Sequence, residues 1–420
     1  MKTKFSYKQL FTPKLFLIAG ICLLTATACE EDEVEPPAPE PTPAAIVLPC
    51  DYFDTNNVLV NDTLKDVDYI IDCFMHIHDG AQVVIEEGVT IEFTANAGFY
   101  VDDDAQFVSQ GSAEAPVTLS GTQKTKGYWR GIFINSNLDN SIQHTRIEYA
   151  GGETFTEASP IYEGSVAVSS GADLELSHVE ILNGANIGLD LSGHTADVSA
   201  DNLTISENEG MPVRVCAYNA HIFDSTSTFS GNTQDYINII PAYYEIESTV
   251  SWVKLDVPYL VDGRVLITDN GFLTIEAGVE ALFRPGAYLQ AAGFLPPYNI
   301  GLSIIGTASE PVRLSAYNGN NWGGIYYSFT QENNLIKHAI IEHAKGDISV
   351  GNITNTGAIY MHADPQLTIE DTEFIDLPNC AYYAYTGAST NQPELPNFTA
   401  TNLTLTNVAG AELCWGDGSE

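Results

Sequence analysis

The amino-acid sequence predicts an all-β protein coiled as a parallel solenoid, and three observations carry that reading. The first is composition. Only 17% of the 420 residues are charged, while 44% are apolar and 34 are glycine, a profile that leaves little material for charged surface helices and enough for a large core. The second is periodicity. Apolar residues alternate with polar ones in short runs, such as Val83 and Ile85, Val89, Ile91 and Phe93, Leu174 and Leu176, Leu203 and Ile205, with Gly, Asn, Asp and Ser between them. Strands this short do not form stable isolated hairpins. They hold when each pairs with an equivalent strand one turn above and one below, about 4.8 Å away. The third is an internal duplication at an offset of roughly 190 residues.

Taken in chain order, residues 1–28 read as a secretory leader. Lys2, Lys4, Lys8 and Lys14 form its basic start and Leu15 to Leu24 its apolar stretch, which is shorter than the roughly 20 residues a membrane span needs. No later segment offers a span, so the mature chain is expected to lack a transmembrane helix. Cys29 follows Ala26-Thr27-Ala28, and the segment resembles a bacterial lipoprotein signal, although Ala26 stands where leucine is commonest in that family. The resemblance implies acylation of Cys29. Glu30-Glu31-Asp32-Glu33 directly after it resembles the export signal of Bacteroidetes outer-membrane lipoproteins facing the cell exterior. Residues 29–45 are acidic and proline-rich and are expected to form an extended tether.

The folded part is expected as two halves, 46–245 and 246–420, with the seam near 241–255. Asp66-Val67-Asp68-Tyr69-Ile70-Ile71-Asp72 recurs as Asp256-Val257-Pro258-Tyr259-Leu260-Val261-Asp262, and Tyr128-Trp129-Arg130-Gly131-Ile132 as Asn321-Trp322-Gly323-Gly324-Ile325. His144-Thr145-Arg146-Ile147-Glu148-Tyr149-Ala150 recurs as His338-Ala339-Ile340-Ile341-Glu342-His343-Ala344, and Asn202-Leu203-Thr204-Ile205 as Asn402-Leu403-Thr404-Leu405. Gly88 and its counterpart Gly278 fall where a strand must turn sharply. These blocks resemble the right-handed parallel β-helix proteins of the pectate-lyase-like fold, and bacterial surface β-helix lipoproteins among them, over residues 55–420. The resemblance implies a right-handed coil and no single activity, because that fold hosts lyases, hydrolases, adhesins and scaffolds.

Cysteines suit an oxidising compartment. Cys22 leaves with the leader and Cys29 is the lipid site. Spacing alone does not fix connectivity among the other five; the expected pairs are Cys50–Cys73 and Cys380–Cys414, with Cys216 buried and free. The segment around Cys50 and the stretch Leu413-Cys414-Trp415 are expected to cap the two ends.

Charge narrows the partners. There are 55 acidic and 16 basic residues, a net charge of −39, and the leader takes four of the basic ones. Such a surface repels phosphate backbones, so nucleic acid is not expected. The chain has no Gly-rich phosphate loop, no HExxH, no GxSxG and no Gly-His-Gly. Four constellations remain as candidate chemistry. His76-Ile77-His78-Asp79 offers two imidazoles for a transition metal, or a polar outer face. Asp102, Asp103 and Asp104 form an acidic turn suited to Ca²⁺, although the counterpart Arg284-Pro285-Gly286 keeps no acid. His144, Arg146 and Glu148 alternate outward, as an acid–base set or as a repeated surface ladder. Aromatic residues cluster at Tyr243-Tyr244 with Trp252 and at Tyr382-Tyr383 with Tyr385. At most one of Tyr382 and Tyr383 is expected to face solvent. Trp129 and Trp322 read as shields over a coil corner, with sugar stacking as the alternative.

The function expected from these features is non-catalytic binding or adhesion, to a glycan or a surface protein, with Trp129, Trp322, Tyr243 and Tyr383 as candidate contacts. The alternative is a polysaccharide lyase or glycoside hydrolase of the same fold, centred on His144, Arg146 and Glu148 or on the Asp102–Asp104 turn. A spacer within a surface assembly is the third. No cofactor is expected apart from Ca²⁺ at that turn.

Overall fold

Each turn of the chain lays down three short strands at sharp corners, and the same three positions recur turn after turn. The computed structural model describes residues 43–416 except 56, 242–245, 269, 294–298, 347–348, 351–352, 355–356, 363–365 and 387–390. The leader, Cys29, most of the tether and Tyr243 lie outside the described residues. One turn runs from Tyr69–Ile71 on a first face to Phe74–Ile77 on a second and Gln82–Ile85 on a third, then returns to the first with Thr90–Phe93. Strands pair in parallel with those one turn away. Among the described residues the one antiparallel pair is a small ribbon, Ser349–Val350 with Ile353–Thr354. The protein is an all-β parallel solenoid built from two duplicated halves. No helix among the described residues is long and apolar enough to cross a membrane.

The period-two alternation places one apolar residue of each strand over its like in the next turn. On the first face the register stacks Tyr69, Ile91, Leu119, Ile147, Ile181 and Ile205 into one column, all buried. Aliphatic and β-branched side chains fit this pleated stacking, and burying each contributes about 2 kcal/mol. Where a turn must bend, a buried amide replaces the side-chain column. Asn140 Oδ1 accepts from the Phe107 N–H at 2.8 Å, and its Nδ2 donates to the carbonyls of Leu138 and Asp173. Asn334, its counterpart, accepts from the Leu302 N–H at 2.9 Å and donates to Gln331 and Gln366.

Corners flanking the first face use left-handed backbone. His144 and Tyr149, His178 and Asn183, and Asn202 and Glu207 bracket three successive strands, as do His338 and His343, Asp371 and Asp376, and Asn402 and Asn407 in the second half. All have positive φ. Asn, Asp and His are the non-glycine residues that tolerate that region best. Corner side chains also meet from turn to turn: the His144 and His178 rings stack at 4.4 Å, while Asn402 and Asn407 donate to Asp371 and Asp376.

The halves join by an offset of one face. Among the described residues the faces of the first half hold seven, six and six strands, and those of the second half repeat these numbers. A 13-stranded sheet runs through both, and it is the second face of the first half continued by the first face of the second half. The junction is Val213–Cys216 on Ile237–Ile240, with Val213 opposite Ile237 and Val215 opposite Ile239. Ile237–Ile240 is the counterpart of Ile46–Leu48, since Ile237 pairs with Tyr259 as Ile46 pairs with Tyr69. By this pairing Ile237–Ile240 opens the second half, ahead of the expected seam near 241–255.

Disulfides Cys50–Cys73 and Cys380–Cys414 tie the first and last turns, each with Cα atoms 6.1 Å apart. Cys216 is a buried free thiol whose pKa burial raises. Phe53 fills the N-terminal end and is fully buried. Leu413–Gly416, which holds Leu413-Cys414-Trp415, is the last strand of its face among the described residues and lies in register on Tyr382–Tyr385.

Candidate functional site

The two predicted tryptophan contacts are internal. Trp129 is fully buried, stacked on Phe93 at 4.1 Å and 4°, with Nε1 donating to the Glu148 carbonyl at 2.7 Å. Trp322 repeats this on Phe283 at 4.0 Å, donating to the Glu342 carbonyl at 2.8 Å. Each indole closes a corner and offers no face to a sugar, because the ring is needed to cover the core there. Tyr383 is also corrected. It packs outward against Tyr360 at 6.0 Å while Tyr382 packs inward on Phe398 at 5.0 Å, and both are buried.

His144, Arg146 and Glu148 do not act on one point. His144 sits at the corner ahead of the strand Thr145–Glu148, with a φ of 40°, so the outward alternation stops at Arg146. Arg146 is held by Glu180 at 2.7 Å, and Glu148 stands at the strand's far end. A cleft of about 360 Å³ instead gathers His144, Arg146, His178 and Glu180 from adjacent turns. In the second half Glu342, the counterpart of Glu148, is nearly buried and paired with Arg313 at 2.6 Å.

The metal candidates separate similarly. His78 lies past the end of Phe74–Ile77 and contacts Asp79 at 2.9 Å and Asp54 at 3.4 Å, while His76 stacks on a tyrosine. Among the described residues, the one group of three His, Cys, Asp or Glu donors within 4.8 Å is Cys50, Asp72 and Cys73, and its two sulfurs are already joined. The carboxylates of Asp102, Asp103 and Asp104 do not gather to that degree.

What the turns do bring together is an aromatic strip on the second face. His76, Tyr100 and Phe133 occupy one outward column of three successive strands. The His76 and Tyr100 rings lie flat on each other at 4.8 Å and 11°. Phe74 meets Tyr100 edge-on at 6.0 Å, and the Arg130 guanidinium sits 4.3 Å over Phe74. Further along, residues 151–165 fold back so that Phe155 and Tyr162 cover Phe133. The fold-back is pinned by Arg214, which pairs with Glu163 at 2.8 Å and with the fully buried Asp190 at 2.7 Å, and donates to the Ile161 carbonyl. A buried pair with its remaining hydrogen bonds satisfied holds position well. Phe155 also reaches Phe74 at 6.3 Å, and Phe74 and Tyr100 stay half-exposed beside the cluster while His76 is exposed.

Burial raises the Tyr100 phenol above its ordinary value, and the Asp102 and Asp103 carboxylates push the same way. Those acids therefore flank the strip. The result is a partly exposed aromatic stack edged by carboxylates and one cation, a surface that can pack against an apolar ring and accept hydrogen bonds from its hydroxyls. Among the described residues the second half has no equivalent open stack. Its column reads Gln290, Tyr326, Tyr360 and Tyr383, and the three tyrosines are buried. His362 and the exposed Tyr385 meet at 4.7 Å at the edge of that face.

Sequence reasoning missed the strip because its members lie 24 positions apart on neighbouring turns. Counting the turn length from the recurring corner residues would have aligned them. No protein-family model matches the chain, and neither the curated proteins nor the solved structures contain a match.

Proposed function

We propose that this chain is a lipid-anchored surface β-helix that binds a neutral glycan on the strip formed by Phe74, His76 and Tyr100, without cleaving it. The observation that carries the binding reading is the His76–Tyr100 stack, in which His76 is exposed and Tyr100 half-exposed. Asp102 and Asp103 beside it favour a hydroxyl-rich ligand over an anionic one. The anchor and the outward location rest on Cys29, the acidic run after it and the tether. Non-catalytic use is supported by the state of the basic residues: Lys124, Arg146, Arg214, Arg313 and Lys337 are each paired with a carboxylate. A cation held this way is a poor proton acceptor.

Glycan-array binding followed by calorimetry tests the reading. Tyr100→Ala and His76→Ala are each expected to weaken binding about tenfold, and Tyr100→Phe to keep it. Binding unchanged in both alanine variants would place the ligand elsewhere. Polysaccharide cleavage is a second reading, favoured by the cleft that His144, His178 and Glu180 share. New reducing ends or unsaturated-uronate absorbance after incubation with acidic and neutral polysaccharides would replace the first reading with the second.

A further inference from the structure

Arg130 carries hydrogen-bond donors that the protein does not meet. Its guanidinium lies 4.3 Å over the Phe74 ring, and its Nε is buried without a hydrogen-bond partner. Arg146, Arg214, Arg284 and Arg313 each hold a carboxylate at 2.5–2.7 Å, whereas among the described residues no carboxylate pairs with Arg130. In a chain of net charge −39, acids are plentiful and such a cation is the exception. A guanidinium has five N–H donors and no acceptor. The Phe74 ring face meets part of its charge and none of those donors, and a half-buried donor left unmet is costly.

Position gives these donors a use. Phe74, Gly98 and Gly131 lie in register at one edge of the second face, and Arg130, which precedes Gly131, stands at that edge beside Phe74. Asp102 and Asp103 follow Gly98–Val101 and stand at the other edge. Four residues of strand, about 13 Å, separate the two edges, and the His76–Tyr100 stack lies between them. A ligand on the stack therefore meets donors on one side and acceptors on the other. The acids also limit what Arg130 can take. Burial raises the Tyr100 phenol and the charge of Asp102 and Asp103 adds to it, so their field reaches the stack and disfavours an anion there. A neutral acyl carbonyl accepts from Arg130 without that repulsion, and its methyl gains apolar contact with half-exposed Phe74.

We infer that Arg130 reads the acetamido carbonyl of an N-acetylated sugar seated on the His76–Tyr100 stack. The inference rests on the proposed glycan strip and names the class of sugar it takes. The carbonyl accepts from the Arg130 amines, the methyl packs on Phe74, and ring hydroxyls donate to Asp102 and Asp103. Arg130 thereby sets which way round the ligand lies.

The full chain carrying Cys29→Ala, so that no lipid contributes, is screened on a glycan array. It is then titrated by calorimetry with short β-1,4-linked oligomers of N-acetylglucosamine and of glucose, which differ only in carrying an acetamido group or a hydroxyl at one ring position. Array binders should carry acetamido groups, and the N-acetylglucosamine oligomer should bind about tenfold or more tighter than its glucose counterpart. Arg130→Ala should bring the two affinities together, and Arg130→Gln, which keeps a planar amide donor, should retain part of the difference. A ratio of two affinities within one variant is not moved by a general loosening of the face. Equal affinities in the parent, or a preference that survives in Arg130→Ala, would overturn the inference; the glycan strip would still stand if Tyr100→Ala weakened binding. Binding led by a glucuronate oligomer and lost in Arg130→Ala would overturn it as well, by giving Arg130 a carboxylate. Binding of no glycan would remove the strip and the inference together.

Discussion

Asn140 and Asn334 show how one buried amide can organise a turn. Each satisfies a backbone N–H and two carbonyls on separate segments, and no apolar residue of that size could do so. Asn140→Ala is expected to leave these groups unpaired and to cost about 2–4 kcal/mol, measured by urea unfolding. Asn140→Asp keeps the acceptor but loses both donations, and should fall between. Trp129 was legible in sequence as a corner shield because a tryptophan before Gly-Ile recurs in both halves. His144 was not. Alternation alone carries a strand through the corner, whereas the chain leaves extended geometry at His144 with a φ of 40°.

Corner residues set the length of each first-face strand. The brackets at His144 and Tyr149, His178 and Asn183, and Asn202 and Glu207 each enclose four residues, so His144, which suggests acid–base chemistry, also serves the turn. His178→Val should cost about 1–2 kcal/mol through its positive φ, and His178→Gly and His178→Asn should cost less, read as shifts in urea midpoint. If all three are equal, the corner conformation is not what the imidazole supplies. The duplication and the strand class were readable from the chain, whereas the expected disulfide pairs needed the structure to fix them. The aromatic strip was not readable, since Phe74 and His76 belong to one strand and Tyr100 to the strand one turn later, and pairing between turns creates the stack.

At the scale of the whole molecule, stability is cooperative along the stack, and its ends are the weakest places. Cys50–Cys73 and Cys380–Cys414 close loops of 23 and 34 residues, each contributing about 3–4 kcal/mol on the chain-entropy account. Reduction should lower the urea midpoint and raise hydrogen exchange first in the turns nearest those bridges, while Ile132, Ile147 and Ile181 in the interior stay protected. Uniform loss of protection would mean that the ends and the centre unfold together. Sequence alignment reveals which strands are equivalent, but it does not reveal which neighbour an equivalent strand takes across the seam. The offset of one face was for that reason invisible until the register was known.

That offset has a consequence for presentation. Strands that descend from the same ancestral segment look out along different azimuths in the two halves, about a third of a revolution apart in a three-sided coil. A flat polymer sheet touching the plane of His76 and Tyr100 would thus meet a different side of the later half, away from His362 and Tyr385. Duplication in this chain yields two dissimilar outlooks in place of a bivalent grip, which leaves each free to have diverged without spoiling the other.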